Sequence, residues 1–163
     1  MKVYRKYFIM AVFALLLVVV ITFSFYYSVW SKENVFRKDL ISKAFAEVEA
    51  LKEIDEIDYF TGVKEFYFIF GRNTINVPML VWVNQEEVNS VYLYEWVTKE
   101  EIKQKSLSLF PGNNIIRINA GITRDNKLIY EVLVKDKEER LGYQYFSLVN
   151  GEYLNSYRLG KSR

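Results

Sequence analysis

EFYFIFGRNTINVPMLVWVN, residues 65–84, contains two runs of aromatic and aliphatic residues on either side of Gly71-Arg72-Asn73. Aromatic and β-branched residues favour strands, and Gly and Asn favour a turn between them. The stretch therefore predicts an antiparallel hairpin with strands at 65–72 and 77–84. Pro78 lies near the start of the second strand, where a missing backbone donor does least harm.

The residues on both sides extend this hairpin into an α+β unit. Two more strands are predicted at 57–61 and 88–97. Upstream, an amphipathic helix is predicted over 32–53, because apolar residues recur there at the spacing of one helical face: Ile41, Ala44, Phe45, Val48 and Leu51. We expect this helix to cover the sheet, which makes residues 32–97 the first unit.

The same order of elements then recurs in residues 98–163. Thr98-Lys99-Glu100-Glu101 has the pattern of a capping box and opens a helix in which Ile102, Leu109 and Phe110 are apolar, with Pro111-Gly112 as its end. Strands are predicted at 115–123, 128–135, 141–149 and 153–159, with hairpin turns at Asp125-Asn126 and Asn150-Gly151. A unit of about 65 residues is barely large enough for a stable core of its own, so we expect the two units to pack together.

The N-terminal region predicts a membrane span at residues 7–31, where no Asp, Glu, Lys or Arg occurs. A helix of this length extends roughly 37 Å, which exceeds the hydrocarbon thickness of about 30 Å. The alternative is a cleaved secretory signal. The end of the apolar stretch lacks an Ala-x-Ala-like pair, and Thr22-Phe23-Ser24 is the one weak candidate, so a retained anchor is favoured.

Basic residues orient this span. Lys2, Arg5 and Lys6 form the short tail, residues 1–6, which the positive-inside rule places in the cytoplasm. The C-terminal region is then outside, on the far side of the plasma membrane. Without these three cations the chain has nearly equal numbers of basic and acidic residues, so nucleic acid is not an expected partner.

The chain contains no cysteine and no histidine. Ser-His-Asp and Cys-His nucleophile systems and His-ligated zinc are therefore excluded. Phosphate-binding loops and clustered metal ligands are also missing from the sequence, so no cofactor, metal or small-molecule substrate is expected.

Paired carboxylates remain as a route to catalysis. Glu95 and Glu131 are the candidates, since each lies inside an apolar strand pattern, although an outward-facing strand position is favoured for both. The acidic residues near the end of the first helix, among them Asp55, Glu56 and Asp58, are interpreted as solvated surface charge. The chain is accordingly predicted not to be an enzyme.

Aromatic residues make up 17% of the chain. Strand alternation predicts that Phe66, Phe68 and Phe70 share one face, and that Tyr92, Tyr94 and Trp96 share another. Either one of these faces lies under the helix and the other is shared between the units, or an aromatic face remains exposed to anchor a partner. The candidate partner-binding or inter-unit aromatics are Trp82, Tyr92, Tyr94 and Trp96.

The order of elements resembles a known family nearly end to end. The segments that carry the resemblance are Phe60-Thr61-Gly62, residues 66–71, Leu80-Val81-Trp82-Val83 and residues 145–154, after a basic tail and a single span. Together they resemble the TseB-like (YpmB) cell-wall elongation regulators, with two tandem PepSY-like, cystatin-like units, each a helix packed on an antiparallel sheet. Asn84 and Asn150-Gly151 depart from the family's usual turn residues but keep their turn chemistry.

The resemblance implies a Gram-positive envelope protein that binds a penicillin-binding transpeptidase during wall growth. Two alternatives belong to other classes: a PepSY-like protease inhibitor or sensor that presents a strand edge or loop to a protease cleft, and a carboxylate hydrolase acting on wall polymer.

Overall fold

The computed structural model describes residues 2–62, 64–94 and 96–160, and within the first helix the side chains of residues 2–6, 8, 9, 11, 29, 32 and 33 also lie outside the description. The described residues form two helices and eight strands. These are α1 (Lys2–Glu47), β1 (Leu51–Thr61), β2 (Glu65–Asn73), β3 (Pro78–Val83), β4 (Val88–Tyr92), α2 (Lys99–Leu109), β5 (Asn114–Ile122), β6 (Leu128–Lys135), β7 (Leu141–Ser147) and β8 (Tyr153–Arg158).

The strands form two antiparallel sheets of four, each in chain order. Sheet A is β1-β2-β3-β4 and sheet B is β5-β6-β7-β8. The predicted hairpin is the centre of sheet A, with Phe68 opposite Trp82 and Phe70 opposite Leu80. The chain therefore has an α+β fold with one sheet in each half.

The chain divides into two compact units, Met1–Ile41 and Ser42–Arg163. The described residues of the compact unit Met1–Ile41 belong to α1, and the side chains from residue 12 to residue 28 are exposed. The second unit contains the end of α1, helix α2 and both sheets. Some residues of α1 have side chains outside the description. Among the residues that are described, no helix is both long and apolar enough to cross a membrane.

One hydrophobic core is shared by both sheets. Its buried residues come from sheet A, from α2 and from sheet B: Phe60, Phe66, Phe68, Leu80, Ile102, Ala120, Tyr130, Val132, Val134, Phe146 and Leu148. The opposite face of sheet A is buried as well, at Tyr67, Ile69, Met79 and Val81. Burial on both faces explains why β2 and β3 read as nearly continuous apolar runs.

The first helix ends earlier than the sequence predicts, at Glu47 instead of residue 53. Residues 51–53 are strand, because β1 pairs with β2 along its whole length from Leu51 opposite Asn73. Two register shifts interrupt this ladder, between Leu51 and Glu53 and between Ile54 and Glu56. A β-bulge disturbs the alternation of buried and exposed residues, so this part of the strand has no period-two pattern. The predicted helical face is also incomplete, since Phe45 is exposed.

Strand β4 is shorter than predicted, and the aromatic face expected at 88–97 does not exist. The strand ends at Tyr92, and the backbone N–H of Leu93 donates to Pro78 O at 2.8 Å. Pro78 is the first residue of β3, so the chain has no further partner strand and leaves the sheet there. Tyr92, Tyr94 and Trp96 are therefore not aligned on one strand.

Helix α2 begins as predicted. Thr98 Oγ1 accepts from Glu101 N at 3.3 Å, and Glu101 Oε2 accepts from Thr98 N at 2.7 Å, which is the capping box. The helix packs on sheet B through Ile102 and through Ser106, whose Oγ is 2.6 Å from Gln144 Oε1. Leu109, expected on the apolar face, is exposed.

The two halves repeat a contact between helix and turn. Lys43 Nζ donates to the carbonyl oxygens of Asn84 and Gln85, after β3. Lys105 Nζ donates to those of Asn150 and Gly151, after β7. Each turn also begins with an Asn whose Oδ1 accepts a backbone N–H two residues on. Asn84 and Asn150 therefore make equivalent contacts in the two halves.

Candidate functional site: a cleft beside Trp96

The segment after β4 crosses the edge of the shared core and leaves a cleft of about 310 Å³ beside it. Its lining comes from both halves: Asp55, Glu56, Phe70, Pro78, Leu93, Trp96, Val97, Thr98, Lys99 and Tyr130. Half of these side chains are apolar, and the charged ones are Asp55, Glu56 and Lys99. We call this the Trp96 cleft.

Hydrogen bonds hold the segment that forms one wall of the cleft. Tyr130 Oη, from sheet B, donates to Val97 O at 3.0 Å. The capping box fixes the next residue, Thr98, at the start of α2. Trp96 is partly buried and packs against the core while its remaining surface lines the cleft. Trp96 therefore contacts the core that the two halves share and keeps part of its surface accessible.

Lys99, which lines the cleft, is paired with two carboxylates. Its Nζ donates to Glu56 Oε1 at 2.8 Å and to Asp58 Oδ1 at 2.7 Å. The same ammonium lies 5.6 Å from the centroid of the Phe70 ring, within cation–π range. A residue of the second half thus pairs with two carboxylates of β1, in the first half.

Asp58 is a buried carboxylate at the junction of the halves, with only 6% of its surface exposed. Its Oδ2 accepts from the backbone N–H of Ala120, on β5, at 2.7 Å. Burial raises the pKa of Asp58 above its usual value, although the hydrogen bonds from Lys99 and Ala120 act in the opposite direction. The interpretation of Asp58 as solvated charge was wrong, because it shares a strand face with buried Phe60.

Tyr130 lies near several carboxylates of both halves. Burial raises the pKa of Tyr130 strongly, and the negative charges of Asp58, Glu56 and Glu101 raise it further. Because like charges disfavour ionisation of the phenol, these carboxylates change the pKa of Tyr130 in the same direction as its burial.

The structure separates the four predicted aromatics. Trp82 is partly buried on β3 against the core, away from the lining of the cleft. Tyr92 and Tyr94 are exposed, and their ring centroids lie 5.8 Å apart. Of the four, Trp96 is the one that lines the cleft.

Sequence reasoning missed the charged members of this site. The available signal was alternation: in the predicted strand 57–61, Asp58 and Phe60 point to the same side. A carboxylate on an apolar face needs a buried partner. The identity of that partner, Lys99, depends on how the two halves pack, which strand patterns do not specify.

Of the two candidate catalytic carboxylates, the structure describes Glu131, which lies apart from the cleft. Glu95 is outside the described residues. Glu131 lies on the other face of sheet B, where Tyr145 Oη donates to it at 3.3 Å and Arg117 Nη2 is 3.8 Å away. Burial raises the pKa of Glu131, and burial together with the Glu131 charge raises the pKa of Tyr145 to about 12. Within the described ranges, no three side chains of the His, Cys, Asp or Glu type are grouped so that they could hold a metal ion.

The architecture of this chain is similar to that of a solved structure. The second unit defines a class of α+β protein, in which two four-stranded antiparallel sheets share one core with a capped helix. No protein-family model matches the chain, and no curated protein matches it in sequence. Among solved structures, the YpmB protein from Bacillus subtilis is similar, with a TM-score of 0.60 and 21% sequence identity over 72% of this chain and 96% of that chain. The chain thus has a YpmB-like fold, which confirms the likeness predicted from the sequence.

Proposed function

We propose that this chain is a membrane-anchored, non-catalytic regulator that acts outside the cytoplasm by binding a penicillin-binding transpeptidase of cell-wall elongation. The fold, which is similar to that of the YpmB protein, is the general support for this proposal. The transpeptidase partner is what the resemblance to TseB-like regulators implies.

The observation that carries the binding role is the Trp96 cleft. A partly exposed tryptophan beside apolar side chains is the composition of a binding hot spot. The carboxylates next to it are engaged by Lys99 and by a backbone amide, so they contribute to packing and charge. This arrangement suits recognition of another protein better than chemistry on a substrate.

Membrane anchoring is supported by helix α1. Its apolar side chains are exposed from residue 12 to residue 28, including Leu15 at 65% and Phe23 at 73%. A helix that is apolar on all sides is unstable in water and is stabilised by lipid. A reporter that is active only outside the cytoplasm, fused after Arg163, is expected to be active. Recovery of the protein in soluble, shortened form would contradict the anchor.

The partner can be tested by photo-crosslinking in cells. A photoreactive phenylalanine at Pro78, which is exposed on the rim of the cleft, is expected to capture the transpeptidase. The same residue at Tyr157, an exposed aromatic position on sheet B, is the control and is expected not to capture it. Equal capture from both positions, or capture from Tyr157 alone, contradicts the proposal.

A protease inhibitor or sensor is the second candidate, and strand β8 favours it. All six residues of Tyr153–Arg158 are exposed, and the strand forms an edge of sheet B. An exposed edge can pair with an extended segment of a protease. A crosslinker at Tyr157 that captured a protease would support this candidate.

We also propose that the chain is not an enzyme. Glu131 is the one described carboxylate that the sequence singled out, and its contacts with Tyr145 and Arg117 stabilise the local packing. Glu131→Gln is expected to leave cell shape and partner capture unchanged. Loss of function in a folded Glu131→Gln protein would favour the hydrolase alternative.

A further inference from the structure

We propose that the Trp96 cleft binds a segment of its partner in which an apolar anchor side chain stands next to Lys or Arg. The inference rests on the proposed function only in taking the occupant to be a protein. It adds the chemistry of the segment that is recognised.

The volume and floor of the cleft specify the anchor. About 310 Å³ lies at the lower end of the range of about 300–1,000 Å³ for ligand sites, which suits one or two side chains. Phe70, Pro78, Leu93, Trp96 and Val97 form the apolar surface. A Leu or aromatic side chain that enters the cleft would bury its own apolar area against these residues.

The rim of the cleft specifies the neighbouring charge. Asp55 and Glu56 line the cleft, Asp58 lies next to them on β1, and two cations face these three carboxylates. Lys99 is occupied by Glu56 and Asp58, and Arg72 pairs with Asp55 at 3.2 Å. The side chains of Asp55 and Glu56 remain about half exposed, at 45% and 54%. They are therefore accessible to a cation of the partner.

The same charges argue against other occupants. An acidic peptide or the anionic surface of a membrane would meet the excess of carboxylates, and Lys99 is not free to compensate it. A lysine or arginine next to the anchor would instead be attracted by the carboxylates of the rim. Charge complementarity thus selects a basic, apolar peptide segment.

The test is binding of labelled peptides to the full chain in nonionic detergent, followed by fluorescence anisotropy. The probe is a seven-residue peptide with a central Leu flanked by Lys and Arg. One control peptide replaces the basic residues by Glu, and the other replaces the Leu by Gly. We expect the probe to bind about tenfold more tightly than either control and to weaken as salt is added.

Two double variants locate the site. Asp55→Asn with Glu56→Gln is expected to weaken binding of the probe about fivefold and to flatten its dependence on salt, because the rim charges are lost. Asp125→Asn with Glu138→Gln removes two exposed carboxylates of sheet B loops and is expected to leave binding unchanged.

Three outcomes overturn the proposal: equal affinity for the acidic peptide, no loss in the Asp55/Glu56 variant, or no binding of the probe. If the probe fails but the crosslinker at Pro78 still captures the transpeptidase, the proposed function stands and the chemistry of the segment is wrong. If the probe binds and no transpeptidase is captured, the cleft is a peptide site and the proposed partner is wrong.

Discussion

At the scale of single residues, Phe60 connects the two halves through a contact that only glycine permits. A Cβ on Gly121, in β5, would lie 2.6 Å from Phe60 Cε2, and a Cβ on Gly62 would meet the other edge of the same ring. The ring is buried and packs edge-to-face on Phe68 at 6.2 Å. It cannot move aside without opening the core, so Phe60-Thr61-Gly62 and Gly121 form one packing unit.

Gly121→Val should consequently destabilise the fold. Overpacking a close-packed core costs about 1–3 kcal/mol, because neighbouring side chains are forced from their preferred positions. The measurement is the free energy of unfolding from denaturant titration. Gly160→Val is the matched control, since nothing lies within 4 Å of a Cβ there. Equal stability of the two variants would show that Phe60 does not depend on Gly121.

Asp58 predicts a pH effect on stability. Its pKa is raised in the folded protein, so the folded state binds more protons than the unfolded state just above the ordinary value of 3.8. Stability contributed at this site therefore falls as pH rises through that window. Asp58→Asn removes the titration while an amide oxygen can still accept from Ala120 N. The stability of the wild type relative to Asp58→Asn is expected to decrease between pH 4 and pH 7.

The control for this effect is Asp125→Asn. The pKa of Asp125 is lowered to about 2 by hydrogen bonds from Lys127 and Thr123, so its contribution is lost only as pH falls below 4. Between pH 4 and pH 7 the difference between wild type and Asp125→Asn should stay flat. If the stability of the wild type relative to Asp58→Asn instead rose with pH, attraction to Lys99 would outweigh the burial of the carboxylate.

At the scale of elements, the sequence predicted those whose signals are local. The capping box at Thr98 and the strand at 128–135 match the structure because cap chemistry and period-two alternation are properties of the segment itself. The predicted start of β1 and the predicted end of β4 were wrong. The first depends on bulges opposite β2, and the second on where β3 stops offering a partner, and both are properties of the pairing. The cleft was missed for the same reason, apart from Trp96.

The lysine contacts between helix and turn give a prediction for both halves. Lys105→Met keeps the aliphatic stem but removes two hydrogen bonds to the turn after β7, and should cost about 1 kcal/mol of stability. Lys43→Met should cost a similar amount at the turn after β3. The two effects should add, because the sites share no partners. Lys103→Met, which removes only a surface pair with Glu100, is the control and should be near neutral. If Lys103→Met and Lys105→Met lowered stability equally, the hydrogen bonds from lysine to the turns would have no stabilising effect beyond that of a surface ion pair.

At the scale of the whole molecule, the second compact unit is defined by the core that crosses its two halves. Phe60, Phe66, Phe68 and Leu80 are buried in one cluster with residues of α2 and sheet B. Polar contacts follow the same junction: Asn119 Nδ2 donates to Tyr59 O at 2.9 Å, next to the Asp58 contact with Ala120. Neither sheet therefore has a core of its own on this face. The Trp96 cleft exists only when both halves are present, since Tyr130 and Lys99 come from the second.

This shared core predicts that residues 32–163 unfold in one transition, and that a fragment ending at Val97 is poorly folded. The fragment would expose the Phe66, Phe68 and Leu80 side of sheet A to water, and it would leave Asp58 without Lys99 or the Ala120 amide. Small domains that share one core unfold cooperatively, whereas half of such a core is too small to offset the chain entropy. Circular dichroism during thermal unfolding checks both statements, with residues 32–163 carrying Gly160→Val as a control for substitution at a remote site. A sharp, independent transition in the fragment, or two separate transitions in residues 32–163, would mean that each half is stabilised by its own contacts. The cleft would then lie between two separately stable domains.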